Sequence, residues 1–331
     1  MNNDTTWLME QTREQLKLDQ KILLKPLDKG GSDRVFYRVD LQEKGSCILM
    51  HYGEEKEENR FYVAISSFLR ELGVNVPRIL HHDETNRLVW MEDLGENDLH
   101  AWRALEWADK SQGYRRVLRS IRKLHDEGLA ALQHKPVKLM KGFDAGLYQW
   151  EQNYFWEQFV QGVCRWKIPD EERQSLNEEL AGLTQRLCAL PLCLVHRDFQ
   201  SHNIMMIAGE AYLIDFQGMR VGARFYDLGS LLFDPYVEFE HAQRLELLAY
   251  YYDLGQGKKP DWKEFQKAFY DASVQRLMQA LGAYGFLGLQ KGKTRFLDYI
   301  PSALQNLNLA ASHAEDFPKL LKLVSSILWQ S

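Results

Sequence analysis

The sequence predicts an α+β protein of two domains, in which a part rich in strands precedes a mostly helical part. Up to about residue 95, short runs of β-branched and aromatic residues alternate with turn residues, and one amphipathic helical run lies among them. Beyond residue 95, apolar residues recur mostly at helical spacing. With 331 residues, the chain is also long enough for a sizeable core and two domains.

The first part of the chain is predicted to contain two helices and five strands. One helix is expected at residues 6–21, and a second begins within 54–58 and runs to about residue 72, where Gly73 can end it. Strands are expected at residues 22–27, 34–39, 47–51, 76–80 and 87–91.

Two segments of this first part suit a nucleotide site. The loop between the first two strands contains Gly30, Gly31 and Ser32, and backbone N–H groups of such a loop can cover nucleotide phosphates. Any hairpin could use the same residues. Segment 91–95 is an apolar strand end that breaks into an acidic, glycine-ended sequence. We expect it to form a hinge at which adenine meets backbone groups.

The second part of the chain is predicted to be helical on both sides of one short β region. Helices are expected at residues 114–125, 143–162, 170–190, 240–253, 261–283, 301–312 and 315–329. Between the third and fourth of them, strands at 192–195, 204–207 and 212–214 surround a hairpin turn at Gly209-Glu210.

This β region carries the chemical motif of the chain. Asp198 is followed five residues later by Asn203 and, after the hairpin, by Asp215. Segment 196–203 matches H-R-D-x-x-x-x-N, and Asp215 stands where that pattern expects a metal-binding carboxylate. In phosphoryl transfer, one carboxylate orients the acceptor hydroxyl and takes its proton, while an amide oxygen and a second carboxylate hold Mg²⁺. An incidental His-Arg-Asp in a buried hairpin would rarely reproduce these offsets.

Composition excludes other classes of protein. The net charge is −5 and no basic surplus recommends nucleic acid as a partner. The N-terminus lacks the features of a signal peptide and no apolar run reaches membrane-spanning length, so we expect a cytoplasmic protein without a membrane partner, as a monomer or weak dimer. Dispersed cysteines are expected to be buried thiols, namely Cys47, Cys164, Cys188 and Cys193.

Together these motifs resemble the aminoglycoside-phosphotransferase-like superfamily of small-molecule kinases. The resemblance rests on segments 196–203, 91–95 and 226–228 and on Asp215-Phe216. Within the superfamily, the chain is most similar to the bacterial N-acetylmuramate/N-acetylglucosamine anomeric kinases of cell-wall sugar recycling. That closer similarity is carried by segments 73–78, 149–155, 215–217, 274–282 and 298–301.

The resemblance implies a bilobed protein-kinase-like fold, with a small N-lobe at 1–95 and a larger, mostly helical C-lobe at 96–331. It further implies ATP as donor, Mg²⁺ as cofactor and a sugar hydroxyl as acceptor. Asp198 would be the catalytic base, and Asn203 and Asp215 would hold the metal. The implied nucleotide-binding residues are Gly30, Gly31, Ser32, Arg34, Met91, Glu92 and Leu94. The implied acceptor-binding residues are Asp198, Gln200, His202, Glu151 and Arg276.

Two points stay open at the level of sequence. Glu151 could equally be a solvated helix residue. Arg276 could equally belong to a surface ion pair. The strand lysine that usually grips the nucleotide phosphates is replaced by Met50, and the candidates to offset the phosphate charge are Arg34, Arg38, Lys29 or extra metal. The alternative functions are a kinase of another small acceptor, such as an aminoglycoside, choline or another sugar, or a nucleotide-binding pseudokinase.

Overall fold

A computed structural model describes residues 3–27 and 33–329 of the chain. Gly30, Gly31 and Ser32 therefore lie outside the described residues, as does Lys29. The N-terminal elements are α1 (Asn3–Gln15), β1 (Leu23–Leu27), β2 (Val35–Asp40), β3 (Ser46–His51), α2 (Tyr62–Leu72), β4 (Ile79–Asp83) and β5 (Leu88–Glu92).

The five strands form one antiparallel sheet in the order β1-β2-β3-β5-β4. Side chains alternate across a strand, so each strand contributes to both faces of the sheet. Leu49 and Trp90 pack on one face with Leu8 of α1. Met50 and Val89 belong to the core on the other face, which includes residues of α2. The central strands β3 and β5 are therefore buried on both sides of the sheet.

Two N-terminal elements differ from the sequence prediction. Helix α1 ends at Gln15 rather than near residue 21, since Lys17 adopts a positive φ of 52° and Leu18 N–H bonds back to Arg13 O at 2.8 Å. Strand β4 begins at Ile79 rather than at residue 76. Pro77 lacks the N–H that a ladder needs, and its carbonyl accepts a bond from Ser66 of α2 instead.

The remaining helices are α3 (Trp107–His134), α4 (Ala145–Tyr154), α5 (Asp170–Cys188), α6 (Phe225–Leu232), α7 (His241–Asp253), α8 (Trp262–Gly285), α9 (Ile300–Ala314) and α10 (Pro318–Leu328). Two π-helical segments, Phe155–Val163 and Phe286–Gln290, continue α4 and α8. Short 3₁₀ helices span Gln42–Lys44, Glu57–Phe61, Leu99–Ala104, Ser201–Asn203, Phe216–Gly218 and Thr294–Tyr299. Helix α8 is buried along most of its length and packs on α4, α6 and α9.

The short β region consists of β6 (Leu192–Val195), β7 (Ile204–Ile207), β8 (Glu210–Leu213) and β9 (Arg220–Ala223). The hairpin is present, but its turn is Ala208-Gly209, one residue earlier than expected, with φ of 48° and 84°. Strand β9 is not predicted from sequence and pairs antiparallel with β6. The region thus contains two separate two-stranded sheets, β6 with β9 and β7 with β8.

The cysteine prediction is only partly right. Cys47 and Cys193 are buried, whereas Cys164 is half-buried and Cys188 is exposed. Cys188 is the last residue of α5, where the helix end faces solvent. Separately, no helix among residues 3–27 and 33–329 is both long and apolar enough to cross a membrane.

Candidate active site

The loop after β6 is clamped to helix α6 by one buried carboxylate. Asp227 accepts the backbone N–H of His196 at 2.7 Å and that of Arg197 at 2.9 Å. Its Oδ2 also shares a hydrogen bond of 3.1 Å with His125 Nε2 of α3. Arg197 has a φ of 80°, a conformation that the two bonds to Asp227 help to hold. The backbone immediately before Asp198 is therefore tightly constrained.

Further bonds bring Asp198, Asn203 and Asp215 into one site. Asn203 Nδ2 donates to the carbonyl of Asp198 at 2.9 Å, and Asn203 O accepts Ile214 N–H at 3.0 Å. Ile214 O also shares a 3.0 Å bond with His196 Nε2. Asp215 directly follows Ile214, so the three residues that the sequence singles out lie beside one another.

Asp198 is an ionised carboxylate between two arginines. Arg197 forms a short ion pair with its Oδ2, and Arg276 Nη2 lies 3.6 Å from its Oδ1. Burial alone would raise the pKa of Asp198, but the guanidinium charges of Arg197 and Arg276 lower it to about 2. The carboxylate is thus available as a hydrogen-bond acceptor throughout the physiological pH range.

Arg276 and Glu151 are both buried. The alternatives that the sequence allows, a surface ion pair for Arg276 and a solvated helix position for Glu151, are therefore wrong. Arg276 on α8 is 8 % exposed and donates to Gln279 Oε1 at 2.6 Å. Glu151 on α4 is 1 % exposed and accepts bonds from Tyr226 Oη at 2.8 Å and Gln275 Nε2 at 2.9 Å. Burial raises the pKa of Glu151. Arg276 reaches Asp198 directly, whereas both oxygens of Glu151 already accept protein donors.

Asp215 adopts a left-handed backbone conformation, with φ of 62°. Its Oδ1 accepts Arg34 Nη2 at 2.5 Å and Gln217 Nε2 at 3.0 Å. Arg34 is only 8 % exposed. Burial alone would lower its pKa, whereas the charge and hydrogen bond of Asp215 raise it. A buried cation just before β2 therefore contacts the carboxylate that the sequence assigns to metal.

Arg38 has a different place. It forms ion pairs with Asp93 at 2.7 Å and with Glu96, and it donates to Gly95 O at 3.2 Å. These contacts hold it along the segment that follows β5. The two arginines that are candidates to offset the phosphate charge therefore occupy different places. Arg34 pairs with Asp215, and Arg38 lies at the predicted hinge.

The other predicted nucleotide residues lie at the end of β5. Met91 is a buried strand residue whose Sδ accepts Tyr62 Oη at 3.3 Å. Glu92 ends the strand, and its Oε2 accepts Arg78 N–H at 3.1 Å. Leu94 is half-buried. The lysine position is filled by Met50, which is fully buried in the core and pairs with Val89.

The remaining acceptor candidates follow Asp198 on the same loop. Gln200 is half-buried, and its N–H bonds to Asp198 O at 3.0 Å. His202 Nδ1 shares a 2.8 Å bond with Asp98 Oδ2. Its ring lies next to the ring of Tyr236, with centroids 5.0 Å apart.

The donor set fits magnesium. Asn203 directs its amide nitrogen at Asp198 O, which leaves its oxygen for a ligand, and Asp215 supplies a carboxylate. Both are hard oxygen donors of the kind that Mg²⁺ prefers. Their roles as metal ligands stay a prediction.

Sequence reasoning missed several residues that position the loop. Asp234 accepts the Ser201 N–H at 2.7 Å. His125, which lies about 70 residues before the loop in the chain, forms a hydrogen bond with Asp227. Asp98 is likewise not predicted. Asp234 directly follows the apolar run Leu231-Leu232-Phe233, and a polar residue in such a position could have indicated its role.

Comparison with known proteins gives concordant matches. Residues 23–266 match the family described as "Phosphotransferase enzyme family". The chain is 26 % identical over 299 residues to an N-acetylmuramate/N-acetylglucosamine kinase of Neisseria meningitidis serogroup B, covering 89 % of this chain and 87 % of that protein. It is 24 % identical to the Pseudomonas aeruginosa protein of the same name, with 91 % and 88 % covered.

Solved structures match over most of the chain. A choline/ethanolamine kinase family protein from Mesorhizobium loti has a TM-score of 0.64 at 16 % identity, covering 98 % of this chain and 99 % of that one. The ADP-bound aminoglycoside phosphotransferase APH(2″)-Ib has a TM-score of 0.59 at 13 % identity, with 92 % and 98 % covered. At these identities the likeness concerns the fold, and it confirms the predicted α+β, protein-kinase-like architecture.

Proposed function

Because the chain belongs to the phosphotransferase enzyme family, we propose that it transfers the γ-phosphoryl group of ATP to the anomeric hydroxyl of N-acetylmuramate or N-acetylglucosamine. ATP-dependent phosphotransfer follows from the family. The choice of sugar is supported by the names of the relatives, each matched over most of its length. The observation that carries the proposal is the ionised Asp198, held between Arg197 and Arg276 and beside Asn203 and Asp215.

The charge state of Asp198 suits the proposed acceptor. A carboxylate with a pKa of about 2 is a weak base, so it orients a hydroxyl by accepting its hydrogen bond and takes the proton late, as the new oxygen–phosphorus bond forms. The hydroxyl of a hemiacetal is more acidic than that of an ordinary alcohol. A weak, well-placed base is therefore sufficient for the anomeric position.

In this proposal Asn203 and Asp215 hold Mg²⁺. The ion, when bound with the nucleotide, neutralises negative charge on the phosphates. Arg34 forms an ion pair with Asp215, so its guanidinium is within reach of the same phosphates. We assign to Arg34 the charge that the missing strand lysine would provide, because Arg38 is paired with Asp93 at the hinge.

The nucleotide and acceptor sites are proposed on either side of this centre. The backbone at Met91, Glu92 and Leu94 meets adenine, and the loop with Gly30, Gly31 and Ser32 covers the phosphates. On the acceptor side, Gln200 and His202 lie on the loop of Asp198, and Arg276 contributes a donor next to its carboxylate. Glu151 belongs to a buried network with Tyr226 and Gln275, where its charge helps to raise the pKa of Arg197.

The broader description of the protein is also proposed. The N-lobe comprises residues 1–95 and the C-lobe residues 96–331, with the site between them. The enzyme acts on a small sugar in the cytoplasm, where ATP is available, as a monomer or weak dimer.

The test is a substrate panel with purified protein, ATP and Mg²⁺. ADP release is measured with N-acetylmuramate, N-acetylglucosamine, glucose, choline and an aminoglycoside, and the sugar product is assayed for its reducing end. We expect turnover with an N-acetylated sugar and loss of the reducing end, since the anomeric oxygen becomes esterified. Product that still reduces ferricyanide would place the phosphate on another hydroxyl. A preference for choline or an aminoglycoside would mean that the proposed sugar is not the acceptor. The absence of turnover with every acceptor would favour the pseudokinase.

A further inference from the structure

Asp98, His100 and His202 form a compact cluster beside the catalytic loop. One ligand atom from each residue lies within 4.8 Å of those of the other two. Within residues 3–27 and 33–329, this is the one group of three or more histidine, cysteine or acidic side chains with such spacing. All three side chains are partly exposed, so an ion from solvent can reach them.

Each side chain is oriented by its surroundings. Asp98 Oδ1 caps the helix Leu99–Ala104 by accepting Ala101 N–H at 2.9 Å, which turns Oδ2 towards His202. Oδ2 and His202 Nδ1 are 2.8 Å apart. The rings of His100 and His202 lie next to each other, with centroids 4.1 Å apart and planes tilted by 36°.

The two segments that carry the cluster are also fastened to each other. Met206 N–H donates to Asn97 O at 2.8 Å, and Asn97 Nδ2 donates to Met206 O at 3.0 Å. On the loop side, Asp234 holds Ser201 N–H at 2.7 Å. Because the backbone on both sides is already ordered, binding an ion would need only side-chain adjustment. Preorganised ligands favour metal affinity.

We propose that Asp98, His100 and His202 bind a transition-metal dication of the Zn²⁺ type, separately from the magnesium of the nucleotide. Two imidazoles and one carboxylate match the ligands of zinc, whereas magnesium favours an all-oxygen set. Three protein ligands leave a fourth position for water. The ion replaces the proton between Asp98 and His202 and ties the segment at 98–100 to the loop one residue before Asn203.

The experiment is calorimetric titration of chelator-stripped protein with ZnCl₂ in excess Mg²⁺, followed by thermal melts with and without zinc. We expect one zinc ion per chain and a higher melting temperature in zinc. His100→Ala, which removes one ligand, should weaken binding by more than about tenfold. Asp98→Asn should do the same while keeping an oxygen to cap Ala101 N–H.

His313→Ala is the matched control. His313 is stacked on His241 with ring centroids 4.2 Å apart, yet this pair is not part of a three-ligand group among the described residues. The control should bind zinc as the wild type does. Replacing zinc by Co²⁺ should give intense visible absorption bands of low-coordinate cobalt, and these should be lost in the two ligand variants.

Failure of wild-type protein to bind zinc in excess magnesium would overturn the proposal, and so would wild-type affinity in both ligand variants. If His100→Ala does not fold, as judged by its metal-free melt, Asp98→Asn decides the question. None of these measurements uses turnover. The outcome is therefore independent of whether the proposed sugar kinase activity is found.

Discussion

At the scale of single residues, Asp198 and Arg34 each have a charged partner that lies far from them in sequence. Arg276 of α8 lies 3.6 Å from Asp198, and Arg34, just before β2, forms an ion pair with Asp215. Both arginines are buried, so their charges are only weakly screened by solvent. Substitutions at these residues should therefore have large effects on specific kinetic constants.

Asp198→Asn should lower turnover by about 10²–10⁴-fold and leave nucleotide affinity nearly intact, because the change removes the proton acceptor and keeps the side-chain volume. Steady-state kinetics and ATP titration of the variant provide the measurement. Turnover within a few-fold of the wild type would contradict the role of Asp198. A variant with weakened ATP binding and unchanged turnover would do so as well.

The pH dependence of kcat/KM should show no acid limb belonging to Asp198 over roughly pH 5 to 8. Its pKa is lowered to about 2, so the carboxylate becomes protonated, and inactive as a base, only far below this range. Arg276→Gln removes one of the two charges responsible and should move the protonation of Asp198 to higher pH. An acid limb with a midpoint near pH 6 in the wild type, if titration of the substrate does not account for it, would mean that another group is the base.

Arg34→Ala should raise the Michaelis constant for ATP by about tenfold or more, equivalent to about 1.4 kcal/mol. The reason is that Arg34 is the buried cation next to Asp215, where the phosphates are expected. Arg38→Ala is the matched control, since Arg38 pairs with Asp93 and Glu96 and should affect ATP less. Equal effects of the two changes would mean that Arg34 has no special place at the phosphates.

At the scale of elements, β3 has an apolar interior at the position where the protein-kinase pattern expects a lysine. Met50 is fully buried between Phe36 of β2 and Val89 of β5. The strand therefore contributes to the core rather than to the phosphate site. Its burial also explains why the charge must come from another element, and Arg34 lies just before the adjacent strand β2.

Met50→Lys should lower the free energy of unfolding by a few kcal/mol, roughly the cost of placing an unpaired polar group in an apolar site. ATP affinity should be unchanged or worse. Chemical denaturation and ATP titration of Met50→Lys, with Met50→Leu as a volume-conserving control, provide the measurement. A gain in activity would instead support the pseudokinase interpretation, in which this lysine is the one missing part.

At the scale of the whole molecule, the sheet and α2 meet the catalytic region through a few specific contacts. Tyr62 of α2 stacks on Phe216 with ring centroids 4.6 Å apart. Leu213 N–H donates to Asn75 O at 2.9 Å. Together with Arg34 and Asp215, these contacts join the proposed nucleotide-covering part of the chain to the residues that act on the acceptor.

Phe216→Ala should destabilise the protein by about 3–5 kcal/mol, the usual cost of removing a fully buried aromatic ring. Because Phe216 follows Asp215, the change should also weaken the Mg²⁺ dependence of ATP binding. Tyr62→Phe keeps the stacked ring and loses the hydroxyl bond to Met91, so it serves as the control and should cost about 1 kcal/mol. Equal stability of Phe216→Ala and wild type would show that this contact does not join the two parts.

The sequence by itself determined the features that depend on neighbouring residues. The spacing of Asp198, Asn203 and Asp215 around one hairpin is local, and so are the alternating strands and amphipathic helices. These predictions succeeded because hydrophobic periodicity and turn chemistry act over a few residues. Strand β9 was missed because its four residues include a glycine and its pairing with β6 is a contact between separate segments.

Only the tertiary structure decided which distant groups share a site. The pairing of Arg34 with Asp215 spans 181 residues, that of Asp98 with His202 spans 104, and Arg276 reaches Asp198 from the centre of α8. No pattern in the chain encodes these pairs, because they follow from the packing of whole elements. Partial burial then strengthens the effect of the charges, and the two guanidinium groups keep Asp198 ionised.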